Sequence, residues 1–98
     1  MNRADAVATL RRSEPALRAR GVRHAALFGS VARGDNRPGS DIDIMIEIDP
    51  AIRLTAFDYA GLKEYIAGLF DHPVDVVSRK SLKAYVAPAA TADAIDAF

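Results

Sequence analysis

From Ile42 to Ile48 the chain reads Ile-Asp-Ile-Met-Ile-Glu-Ile, a strict alternation that fits one kind of backbone. Side chains two residues apart on a strand share a face, so the four isoleucines form an apolar side while Asp43, Met45 and Glu47 form the other. In a helix the same pattern would scatter the isoleucines around every side. The run stops at Asp49-Pro50, where proline has no N–H to give to a ladder. One face of this strand is therefore expected to meet a core, and the other something polar. Asp41 precedes the run in the same phase and joins Asp43 on the polar side.

The flanking elements follow from local signals. Ala6, Val7, Leu10 and Leu17 recur at helical spacing between Arg3 and Arg20, with Gly21 as the stop and a kink or restart expected at Pro15 after Ser13 and Glu14. Val22 to Phe28 is a short apolar run followed by glycine, which predicts a buried strand. One helical turn is expected over Ser30 to Arg33, and Gly-Asp-Asn-Arg-Pro-Gly-Ser after it reads as a loop. Leu54, Phe57, Leu62, Tyr65, Ile66 and Leu69 mark a helix closing near Phe70, and a strand is expected over Val74 to Val77. Ser78 is placed as the N-cap of a further helix through Leu82 and Val86, broken at Pro88, and the Ala-rich tail to Phe98 reads as helical. A chain of 98 residues is read as one domain, residues 1–98, since it cannot support two cores. The expected class is α/β (α+β), a small mixed sheet of three to four strands with helices packed on one face.

Charge and composition exclude several functions. The net charge is zero, but residues 1–37 hold eight Arg against three Asp and Glu, and the remainder reverses the balance. That asymmetry fits solvated helix faces, or a basic surface for polyphosphate or an acidic partner. Bulk nucleic-acid binding is not expected of a neutral chain, because its affinity comes from neutralising many phosphates. Without cysteine there is no disulfide framework or thiolate metal site. No stretch has membrane-spanning length or the form of a signal peptide, so a cytoplasmic setting is expected. His24 and His72 lack metal-ligand spacing, and Tyr59, Tyr65 and Tyr85 fall on expected helices, where aromatics are mostly core.

The polar side of the Ile42 strand carries the chemistry. Asp41 and Asp43 stand roughly 6.5–7 Å apart along it, and their repulsion amounts to roughly 2 kcal/mol at an effective dielectric near 20. Either a proton or a divalent cation offsets that, and hard oxygen donors favour Mg²⁺. The plain alternative is a half-exposed strand whose outer face is simply acidic, continued by Glu47 and Asp49. Position favours the cation. Gly29 and Ser30 close the preceding strand, where a missing side chain lets a ligand approach the backbone and exposed amides suit phosphate. Arg33 follows three residues later.

Gly29-Ser30, ten residues, then Asp41-Ile42-Asp43 resembles the signature of the polymerase-β-type nucleotidyltransferase superfamily. The segments "LFGSVARGD", "SDIDIMIE" and "HPVDVVSRKSLK" are similar to its minimal nucleotidyltransferase branch, over about Val22 to Lys83. The resemblance implies the nucleotidyltransferase fold, with Asp41 and Asp43 as the metal-binding, catalytic pair and Gly29 and Ser30 contacting the triphosphate. It also implies a third carboxylate on a later strand, for which Asp75 is the candidate; Arg33 joins the nucleotide-binding set. The implied reaction is transfer of AMP from ATP, with Mg²⁺, to a hydroxyl, and the implied acceptor is a tyrosine of a HEPN-domain toxin held in a hetero-oligomer. This chain would then be the antitoxin. Two other readings stay open: an antitoxin that neutralises by binding alone, and nucleotidyl transfer to a small molecule, which normally needs an additional acceptor-binding domain.

Overall fold

The computed structural model describes residues 2–35, 37, 39–79 and 94–98. Two helices open the chain, α1 (Arg3–Arg12) and α2 (Glu14–Ala19), divided at Ser13 ahead of Pro15. The proline sits in the first turn of α2, where its missing N–H costs nothing. Strand β1 (Val22–Phe28) and the single turn α3 (Gly29–Arg33) follow, then β2 (Ile42–Ile48), α4 (Ala56–Ala67), β3 (Val74–Ser78) and a two-residue β4 (Ile95–Asp96). Thr55 and Asp58 cap α4 reciprocally, the Thr55 hydroxyl accepting from Asp58 N–H and the Asp58 carboxylate from Thr55 N–H.

The sheet order is β3-β2-β1-β4, with β1 antiparallel to β2 and β4, and β2 parallel to β3. This is the small mixed sheet of three to four strands that the sequence predicts, with a fourth strand at Ile95–Asp96 where the sequence reads as helical. Parallel pairing of β2 and β3 requires a crossover, which α4 supplies. Ala25, Leu27, Ile42, Ile44, Ile46 and Val76 present one face to Leu10, Leu17, Val31, Leu62 and Ile66 of the four helices, all in one buried cluster. Leu27 and Ile44, partners in register, are both wholly buried, and each such side chain contributes about 1.5–3 kcal/mol of burial.

The structure corrects the sequence reading in two places. The second sheet face is not polar throughout: Ala26 and Met45, register partners at its centre, are 5% and 4% exposed. The end of the chain is not helical, because Ile95–Asp96 pairs with β1 and the Ala97 N–H donates to the Ala25 carbonyl at 2.8 Å. Ser78 ends β3 and directly precedes the helical residue Arg79, the position expected of an N-cap. The helix expected through Leu82 and Val86, its break at Pro88 and Tyr85 lie outside the described residues.

The basic N-terminal half also has a structural explanation. Arg3 donates to the Ala32 carbonyl (3.2 Å) and Arg11 to that of Ala97 (3.0 Å). Arg18 bonds Glu14 at 2.7 Å and lies over the Phe98 ring, while Arg20 stacks on Tyr65 at 4.2 Å. These arginines clamp α1 and α2 to α3, α4 and the end of the chain, more specific work than either charge reading assigned them.

Candidate active site

Strand β1 delivers its last residue, Phe28, opposite Asp43 of β2. The next residue, Gly29, has φ of 74°, a left-handed conformation that costs a residue with a side chain about 1–2 kcal/mol. Space demands glycine as well: a Cβ there would run into the Asp43 carboxylate, with Cγ only 3.1 Å away. The missing side chain is thus occupied by Asp43 itself. Ser30 is half-buried in α3 beside this contact, and no side chain caps that turn.

Between α3 and β2 the loop tightens where Arg37 N–H donates to the Ser40 hydroxyl and Ser40 N–H to the Arg37 carbonyl, both at 2.9 Å. Asp41 follows, exposed, one residue before β2 begins. Asp75 is the register partner of Asp43 across the parallel pair and is exposed. Partial burial pushes the Asp43 carboxyl above its ordinary value, the Asp75 and Asp41 charges push it further, and Arg33 pulls the other way without prevailing. Gly29, Asp41, Asp43, Asp75 and Arg33 therefore act within one neighbourhood. Arg33 also donates from Nε to Asp35 Oδ2 at 3.1 Å, an exposed pair whose worth in stability is small.

This local excess of negative charge is what a divalent cation would relieve, and the donors are the hard oxygens that suit Mg²⁺. Among the described residues no three Asp, Glu, His or Cys side chains converge tightly enough to enclose an ion. That disagrees with a closed three-carboxylate cage but not with magnesium, which ordinarily takes one or two carboxylates and fills its shell with water and substrate phosphate. The residues fit the ion as an open, shared site.

Two features on this face escaped the sequence reading. Phe28 is half-buried beside Asp43 without belonging to the core cluster, and only its position ahead of Gly29 signalled it. His24 faces Glu47 at 3.7 Å further along the same face, both side chains about half exposed. The period-two pattern placed Glu47 there, but only the strand register supplies its partner.

The candidate site is thus a glycine corner pressed on an aspartate of the neighbouring strand, in a mixed sheet of an α+β protein backed by helices. The nucleotidyltransferase domain model matches residues 10–97, and the chain belongs to that family. It is 37% identical over 67 residues to the protein adenylyltransferase MntA of Thermococcus cleftensis, covering 68% of this chain and 66% of that protein. A candidate protein adenylyltransferase of Methanocaldococcus jannaschii is 41% identical over 61 residues, 62% of this chain and 61% of its own. The chain thus spans 61% and 66% of the length of these two relatives. Among solved structures, a candidate minimal nucleotidyltransferase aligns with a TM-score of 0.68 and 31% identity over 97% of this chain and 95% of that one. A toxin–antitoxin crystal structure with AMP-PNP aligns at 0.63 and 24% identity, over 100% of this chain and 73% of that one, a likeness of fold.

Proposed function

We propose that this chain transfers AMP from ATP to a hydroxyl of a partner toxin, and so acts as the antitoxin of a two-protein system. The observation that carries the reading is the contact of Gly29 with Asp43, which turns two separated sequence motifs into one site flanked by Asp41 and Asp75. Support also comes from relatives named protein adenylyltransferases and from the toxin–antitoxin assemblies among the structural neighbours. That the partner is a HEPN protein, and the acceptor a tyrosine, rests on the resemblance of residues 22–83 to minimal nucleotidyltransferases. No helix among the described residues is long and apolar enough to cross a membrane, and a cytoplasmic setting belongs to the same proposal.

In this reading Asp41 and Asp43 hold Mg²⁺, with Asp75 assisting. When bound, the ion would supply positive charge to neutralise the triphosphate oxygens. The chain's own groups do the rest. Backbone amides at Gly29 and Ser30, with the Ser30 hydroxyl, receive triphosphate oxygens, and Arg33 adds positive charge near them. The acceptor hydroxyl attacks the α-phosphorus, pyrophosphate departs, and an Asp75 carboxylate oxygen takes the proton. Titration calorimetry with ATP checks the first requirement: uptake at one site is expected with Mg²⁺ and none with excess EDTA. Absence of uptake at millimolar ATP with Mg²⁺ present would overturn the proposal.

A further inference from the structure

We infer that the chain forms a two-fold dimer through the pole of the sheet opposite Asp41 and Asp43. Phe57, in the first turn of α4, is 91% exposed, and Ile52 in the preceding loop is 41% exposed; these are the exposed large apolar side chains among the described residues. They border a groove of about 410 Å³ between the end of α2 and the start of α4, with buried Gly21 and Leu62 in its lining. Gly21 lets Ile52 close on the backbone there, since an added Cβ would lie 3.2 Å from Ile52 Cγ2.

The occupant is argued from self-complementarity. One patch carries both a protruding aromatic ring and a recess large enough to take one, together with charges of opposite sign, Arg20 and Asp58, in the groove's lining. An isologous contact brings each surface patch against its own copy. Phe57 of one copy then enters the facing groove, and Arg20 meets Asp58 of the second copy. Aromatic anchors in pockets with an arginine nearby are the usual carriers of interface energy. The location is permissive too: Gly21 and Asp49 lie at one end of β1 and β2, Phe28 and Asp43 at the other, roughly 20 Å away at about 3.4 Å per residue. Both nucleotide sites in the dimer remain open to an acceptor. This inference does not depend on the proposed activity.

Sedimentation velocity of the full chain over roughly 1–200 µM, a range in which standard interfaces are populated, tests it. The expected wild-type mass rises with concentration towards twice the 10.5 kDa of one chain. Phe57→Asp is expected to weaken association at least tenfold, on the order of an anchor residue's effect, with an unchanged far-UV circular dichroism spectrum because the ring is not part of the core. Arg20→Glu should weaken it as well. Three results would each overturn the inference: a wild type that stays monomeric throughout, a dimer untouched by Phe57→Asp, or a Phe57 effect seen only on binding a different protein.

Discussion

Changing Asp41 and Asp43 together to Asn is expected to slow AMP transfer by at least about 10³-fold, the consequence of losing several kcal/mol of metal-borne charge stabilisation. The fold should survive, because Asp41 is exposed and Asp43 only half-buried, and Asn keeps the shape of both. Stability without metal is expected to rise. The Asp43 carboxyl is raised above its ordinary 3.8 by burial and then by Asp75 and Asp41. As pH climbs past that value, Asp43 ionises first in the unfolded chain while the folded chain still binds the proton. The unfolded state then binds fewer protons, so stability falls through the window and the penalty persists at neutral pH. Asn removes it, and thermal melts in EDTA should show a higher Tm than wild type. Adding Mg²⁺ and ATP should raise the Tm of the wild type and leave the variant where it was. A variant that loses transfer yet still neutralises the partner would point to inhibition by binding alone. Retention of full transfer would remove the metal pair from the mechanism.

Gly29→Ala is expected to cost activity about 10²-fold, although it adds one methyl group. Two effects converge. The residue must hold φ of 74°, and its new Cβ meets the Asp43 carboxylate. Either the backbone relaxes and moves the triphosphate amides, or Asp43 swings away from Asp41 and Asp75. A displacement near 1 Å is enough for a loss of about that size. Chemical denaturation should show a drop of about 1–2 kcal/mol from the left-handed backbone alone. The same exchange at Gly61, where nothing lies within 4 Å of an added Cβ, should leave transfer unchanged. Equal activity losses at both glycines would sink the argument from the Gly29 contact.

The strands of this site were legible because they are specified locally. Alternation of Ile with Asp, Met and Glu fixes β2 regardless of the rest of the chain, and Gly21 and Asp49-Pro50 punctuate its surroundings. The spacing from Gly29 to Asp43 also pointed to candidate site residues, which the fold brings close together. What it left out is three-dimensional: the carboxylate of Asp43 fills the place of a Gly29 side chain, and Asp75 lands opposite Asp43 rather than beside Asp41. Both depend on register, which α4 and the α3–β2 loop set at a distance. β4 was misread for the same reason. Ile95 and Asp96 sit in an alanine-rich tail with helical propensity, but an Arg11 bond to Ala97, 86 residues away, and pairing with Ala25 outweigh it. Ala26 and Met45 show the converse limit, since alternation tells which face a residue occupies but not whether that face is covered.

Label transfer reads the chemistry itself. Incubating the chain with Mg²⁺, ATP labelled at the α-phosphate and the product of the neighbouring gene should place AMP on a hydroxyl of that partner, with the label absent when Asp41 and Asp43 are Asn. An unlabelled partner, in a mixture where the chain demonstrably binds both ATP and the partner, would contradict the account.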